Sequence, residues 1–115
     1  MYQFAYSEVV EESPLAMRTA ERNALDRCIA MLRVARDNGA ESPEAVEALY
    51  YLRRMWSFFI NDLKSPENEL PEQLRQGILS IGGWMSKEIE RLRSGQASDL
   101  TPIIEINEIV RDGLK

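Results

Sequence analysis

The stretch AVEALYYLRRMWSFFINDL, Ala45 to Leu63, decides the fold. Ala45, Leu49, Leu52, Trp56, Phe59 and Leu63 are spaced alternately four and three residues apart. At about 100° per residue they fall within about 40° of one line on a helix. That is the spacing of a coiled-coil-like packing seam. A second apolar line, Tyr51, Met55 and Phe58, lies about 120° away around the same helix. One neighbouring helix covers one seam. Two seams require two neighbours, or one neighbour and an outside partner.

Punctuation on either side sets the ends of this helix and of its neighbours. Ser42-Pro43-Glu44 opens it, and Ser65-Pro66 stops it after Leu63. Upstream, Ser13 serves as an N-cap with Pro14 at the first helical position, and Asn38-Gly39 closes that helix. Downstream, Pro71-Glu72 opens a third helix that ends at Ser94-Gly95. Thr101-Pro102 opens a short fourth that ends near Asp112-Gly113. The first three are each roughly 30–36 Å long at 1.5 Å per residue. Connections of a few residues favour antiparallel neighbours.

The other helices offer matching faces. The first carries Met17, Ala24, Cys28, Leu32 and Ala35, with Leu25 beside them. The third carries Leu74, Ile78, Ile81, Met85 and Leu92, and the fourth Ile103, Ile106 and Val110. The expected fold is all-α: a small antiparallel bundle of three long helices plus a short C-terminal helix, one domain over residues 1–115. At this length folding hides about 65% of the surface of the unfolded chain, enough for a core without staples. The N-terminal Tyr2, Phe4 and Tyr6 alternate as a short extended arm would, although Tyr2, Tyr6, Val9 and Val10 equally suit a helical turn.

Composition narrows the function. The formal charge is −5, and clustered cations are what displace counterions from nucleic acid or dock on anionic lipid. Direct nucleic-acid or membrane contact is therefore not expected. The chain contains no histidine, which excludes His-activated nucleophiles and His-ligated metals. The lone Cys28 fits a reducing compartment, as a small buried hydrophobe. Met1 to Tyr6 shows no secretion signal, and the apolar run Ile78 to Met85 is too short to span a bilayer. A cytoplasmic, non-enzymatic protein without cofactor or metal is expected.

Of five features, three carry two readings each. Trp56 and Phe59 belong to the core. Tyr51, Met55 and Phe58 are either sandwiched within the bundle or form a docking patch, for which Met and aromatics suit an interface core. Arg53 and Arg54 pair with nearby carboxylates, or hold a partner's carboxylate in a bidentate fork. Gly77, Gly82 and Gly83 each cost about 1 kcal/mol relative to Ala inside a helix, which marks close helix approach or a point of flexibility. The Ser65–Pro71 turn reads as structural: two prolines fix its backbone, Asn68 can bond its own main chain, and Glu67, Glu69 and Glu72 suit the start of the third helix.

Several short pieces occur together and in order. They are Leu52-Arg53-Arg54, Trp56, Phe59-Ile60 and Asp62-Leu63, followed by Pro66-Glu67-Asn68 and Leu70-Pro71. Ser80-Ile81-Gly82 with Trp84, and Ile104-Glu105-Ile106-Asn107, complete the set. In this arrangement the chain resembles the FlaF family of flagellar biosynthesis regulators of α-proteobacteria, from Tyr2-Gln3 to Gly113-Leu114. The family pattern has one glycine ahead of the tryptophan, whereas here Gly83 follows Gly82. The resemblance implies a cytoplasmic protein that promotes flagellin synthesis and filament assembly. It would act opposite FlbT, which represses flagellin translation through the messenger leader, or as a chaperone-like adaptor for flagellin. The partners expected are flagellin, FlbT or both, bound through Tyr51, Met55, Phe58 and Arg54 with the N-terminal Tyr2, Phe4 and Tyr6. The alternative is a translational regulator that binds the flagellin messenger directly.

Overall fold

Each helix starts and stops where local chemistry requires it. The computed structural model describes the backbone of residues 14–113 and the side chains of residues 19–113. Four helices fill it: α1 (Pro14–Asn38), α2 (Pro43–Lys64), α3 (Glu72–Arg93) and α4 (Thr101–Gly113). The expected arm at Tyr2, Phe4 and Tyr6, the Ser13 cap and the Met17 side chain lie outside the described residues.

The Ser42 side chain accepts from the Ala45 N–H at 3.1 Å and caps α2, with Pro43 at the first helical position. Gly39 adopts φ 101° and closes α1, its N–H donating to the Ala35 carbonyl at 2.8 Å. Gly95, at φ 83°, ends α3 in a Schellman turn. There the Gln96 N–H reaches the Arg91 carbonyl at 2.8 Å and the Gly95 N–H reaches the Leu92 carbonyl at 3.4 Å.

The turn between α2 and α3 is tied down mainly by Asn68. Its amide donates to Asp62 Oδ2 at 2.9 Å and its Oδ1 accepts the Leu70 N–H at 3.0 Å. Arg75 of α3 reaches back to the Leu63 carbonyl at 3.2 Å, one of the acceptors left open at the end of α2. Arg75 also pairs with Glu72, which in turn accepts from Gln76 at 2.8 Å.

The helices form a ring. α2 packs between α1 and α3, while α4 packs mainly on α1 and touches α3 lightly. Two ion pairs fasten α4 to α1: Arg33 with Glu108, and Arg111 with Asp26 at 3.2 Å. Inside the ring one continuous core runs from Ala24 and Leu25 through Leu52, Met55 and Trp56 to Met85, Ile103 and Val110. The main seam of α2 is buried along its whole length, as its spacing requires. On the other faces some expectations need correcting. Leu74 is 40% exposed, and Ile81 and Ile106 are half-buried. Ile29, Ile89, Leu100 and Ile104 are buried in addition.

At the centre of the ring lies a polar side chain. Asn107 of α4 is fully buried; its Oδ1 accepts from Trp56 Nε1 at 2.9 Å and its amide donates to the Ile103 carbonyl at 2.6 Å. Met85 Sδ of α3 lies 3.7 Å from the same amide. One side chain thus joins three helices, two of which, α2 and α4, have no close backbone approach among the described residues.

Gly82 explains how closely α2 and α3 approach. A Cβ added there would lie 2.9 Å from Ile60 Cδ1 and 3.4 Å from the Trp56 ring. Gly77 and Gly83 have nothing within 4 Å of such an atom. Of the three glycines of α3, one serves close packing and two face open space.

Candidate partner-binding surface

The three faces of α2 have three different fates. The main seam points to the bundle centre, where Trp56 meets Asn107 and packs edge-on against Phe59 with ring centroids 5.6 Å apart. On the second seam, Tyr51 and Met55 are buried, at 7% and 0% exposure. The Arg27 guanidinium of α1 lies over the Tyr51 ring, 6.0 Å from its centroid. Phe58, at the end of this seam, is half-buried. The expected docking patch is therefore interior at Tyr51 and Met55. The physical reason is that α2 has two helical neighbours, α1 and α3, which is the sandwiched arrangement its two seams allowed.

The third face looks outward. Val46 is 67% exposed and Tyr50 49% exposed. Arg53 and Ser57 continue the same face and are exposed. Arg54, expected as a contact residue, is half-buried and held against Tyr50. Its guanidinium lies 5.7 Å from the ring centroid, and Nη1 donates to the Tyr50 hydroxyl at 3.3 Å. A cation over a phenol ring in this geometry is favourable even at a surface.

This face borders an open groove of about 570 Å³. Its walls are the first half of α2, the last turn of α3 and the turn between α1 and α2. Val46, Leu49, Tyr50 and Leu92 supply apolar surface, and Arg53, Arg93 and Glu41 supply charge. Arg93 is engaged with Glu90 at 3.1 Å. Arg53 has no carboxylate within ion-pair distance among the described residues. Nothing in this groove resembles a reaction centre: it joins one acid and two arginines to an aliphatic and phenolic wall. That chemistry suits the holding of another chain.

Val46 and Tyr50 escaped the sequence reading because they lie on neither seam. The usable signal was their own spacing of four residues, followed by Arg53 and Ser57, on the side of α2 opposite Met55. Leu74 and Trp84 of α3 and Ile109 of α4 are further exposed apolar side chains, at 40%, 39% and 62%.

A protein-family model described as flagellar protein FlaF matches residues 2–114, nearly the whole chain. The chain belongs to the FlaF family. No curated protein and no solved structure matches it significantly. Membership makes this a flagellar protein, and the segments that carry the resemblance now have structural roles. Trp56 and Asn107 meet in the core, Asn68 organises the turn after α2, and Gly82 admits Ile60. The second glycine, Gly83, lies on the open side of α3 and leaves the helix unbroken. No described helix is long and apolar enough to cross a membrane.

Proposed function

We propose that this FlaF-family protein is a non-enzymatic cytoplasmic regulator that promotes flagellin synthesis and filament assembly through protein contacts. It binds flagellin as an adaptor or chaperone-like partner, counteracts the translational repressor FlbT, or does both. The family match over residues 2–114 carries this reading. The outward face of α2 supports it physically, because an apolar groove edged by charged side chains on a helical bundle suits a helix of a second protein. In this reading Val46, Tyr50 and Arg53 make the contact. Arg54, held against Tyr50, lies next to this contact, and the half-buried Phe58 is a further candidate on α2. Tyr51 and Met55 contribute to the core of the bundle, and Tyr2, Phe4 and Tyr6, outside the described residues, are candidates from the sequence alone.

The test is co-purification of the protein with flagellin and with FlbT, offered separately, alongside a gel shift with the flagellin messenger leader. A stable complex with at least one of the two proteins is expected, with no retention of the leader by the protein alone. Tight leader binding that weakens steeply with salt, together with no protein complex, would assign the regulation to direct messenger contact instead.

A further inference from the structure

The groove beside α2 carries an arginine that pairs with no carboxylate among the described residues. Arg33, Arg75, Arg91, Arg93 and Arg111 each pair with a carboxylate. Arg53 lines the groove beside Val46, Leu49, Tyr50 and Leu92 without such a partner among the described residues. In a chain of formal charge −5, acids are abundant enough to neutralise it. A second cation, Arg54, is oriented on the neighbouring Tyr50 ring. The groove therefore offers an apolar slot with positive charge at its edge.

We propose that this groove receives an acidic amphipathic helix of a protein partner. A large apolar side chain enters against Val46, Leu49, Tyr50 and Leu92, and a carboxylate one helical turn away pairs with Arg53. This proposal rests on the reading that the protein works by protein contacts. About 570 Å³ accommodates a few side chains of a helix lying along the groove. Closing the apolar slot around Arg53 strengthens the attraction between guanidinium and carboxylate while desolvating both, so that a mismatched charge there is strongly disfavoured. Glu41 in the same groove and Glu90 on Arg93 interrupt the positive field. That interruption disfavours a polyphosphate and leaves a discrete acid as the matching ligand.

The experiment measures the affinity of the full chain for purified flagellin and purified FlbT. It compares the unaltered protein with Arg53→Glu and Val46→Asp, both at exposed positions and each checked by circular dichroism. Both variants are expected to keep their helicity and melting temperature and to bind the partner about tenfold or more weakly. An acid-to-lysine change in the bound partner helix should restore binding to Arg53→Glu. If the unaltered protein binds and both variants match it, the groove is the wrong surface while the functional reading stands. Loss with Val46→Asp alone overturns the acidic partner. A change in the sedimentation of isolated Arg53→Glu relative to the unaltered protein makes the occupant a second copy and overturns the proposal. Failure of the unaltered protein to bind either partner withdraws the functional reading and the proposal with it.

Discussion

Trp56 Nε1 donates to Asn107 Oδ1 at 2.9 Å across 51 residues of sequence, and both side chains are buried. A buried donor left without its acceptor costs about 1–3 kcal/mol. Asn107→Leu is therefore expected to lower the melting temperature by several degrees, because it strands the indole N–H. Trp56→Phe on its own strands the Asn107 carbonyl oxygen. The pair Trp56→Phe with Asn107→Leu should cost less than the sum of the single changes. Thermal melts of the four proteins in a double-mutant cycle measure this coupling. Strict additivity would mean that the bond contributes nothing.

The helical glycines should separate cleanly. Gly83→Ala adds a methyl to open space and removes a backbone freedom, so stability should rise by up to about 1 kcal/mol. Gly82→Ala drives a methyl to 2.9 Å from Ile60 Cδ1 and 3.1 Å from its Cγ1, beside a Trp56 ring anchored by Asn107. Overpacking of this kind costs about 1–3 kcal/mol, reduced where the half-buried end of Ile60 turns aside. Chemical denaturation should place Gly82→Ala clearly below Gly83→Ala in stability. Adding Ile60→Val to Gly82→Ala should recover part of the loss.

Cys28 is fully buried, and burial pushes its thiol well above the ordinary thiol range. The thiolate is the reactive form. Native protein is expected to leave a thiol-reactive dye nearly unconsumed at neutral pH, with full reaction once denaturant unfolds the bundle. Rapid labelling of the folded protein would show that α1 opens far more readily than its packing implies.

Two surface carboxylates give the fold a stability contribution that acid should remove. Hydrogen bonds from Arg75, then Gln76, hold the Glu72 carboxyl below its usual value, and the Thr101 N–H does the same for Asp99. A depressed pKa means that the unfolded chain binds more protons as pH falls. The stability from these groups is present above about pH 4 and is lost as pH drops through their folded values. Melting temperature should stay level from about pH 8 to 5 and then decline. Glu72→Gln should soften that decline.

Much of the architecture was legible because helix ends and packing seams are local properties. Ser42-Pro43, Gly39 and Gly95 act within a turn of their own positions, so the sequence carries their effect directly. The two seams of α2 were equally plain from spacing. What covered the second seam was not, since periodicity gives the direction of a face and says nothing of its neighbour. For the same reason Tyr51 and Met55 were readable as a patch but proved to be core. The role of Asn107 could not be found locally, because its partner lies on a helix that is remote in sequence. The outward groove combines Val46 and Tyr50 with Leu92 and Arg93, and only the antiparallel docking of α2 and α3 brings them together.

The proposed role, holding other polypeptides, is decided by native mass spectrometry after co-expression with flagellin and FlbT. A defined mass in which this chain is bound to at least one of them is expected, and that species should disappear when Arg53→Glu and Val46→Asp are combined. Recovery of the chain alone, with both candidate partners present and folded, would overturn the role.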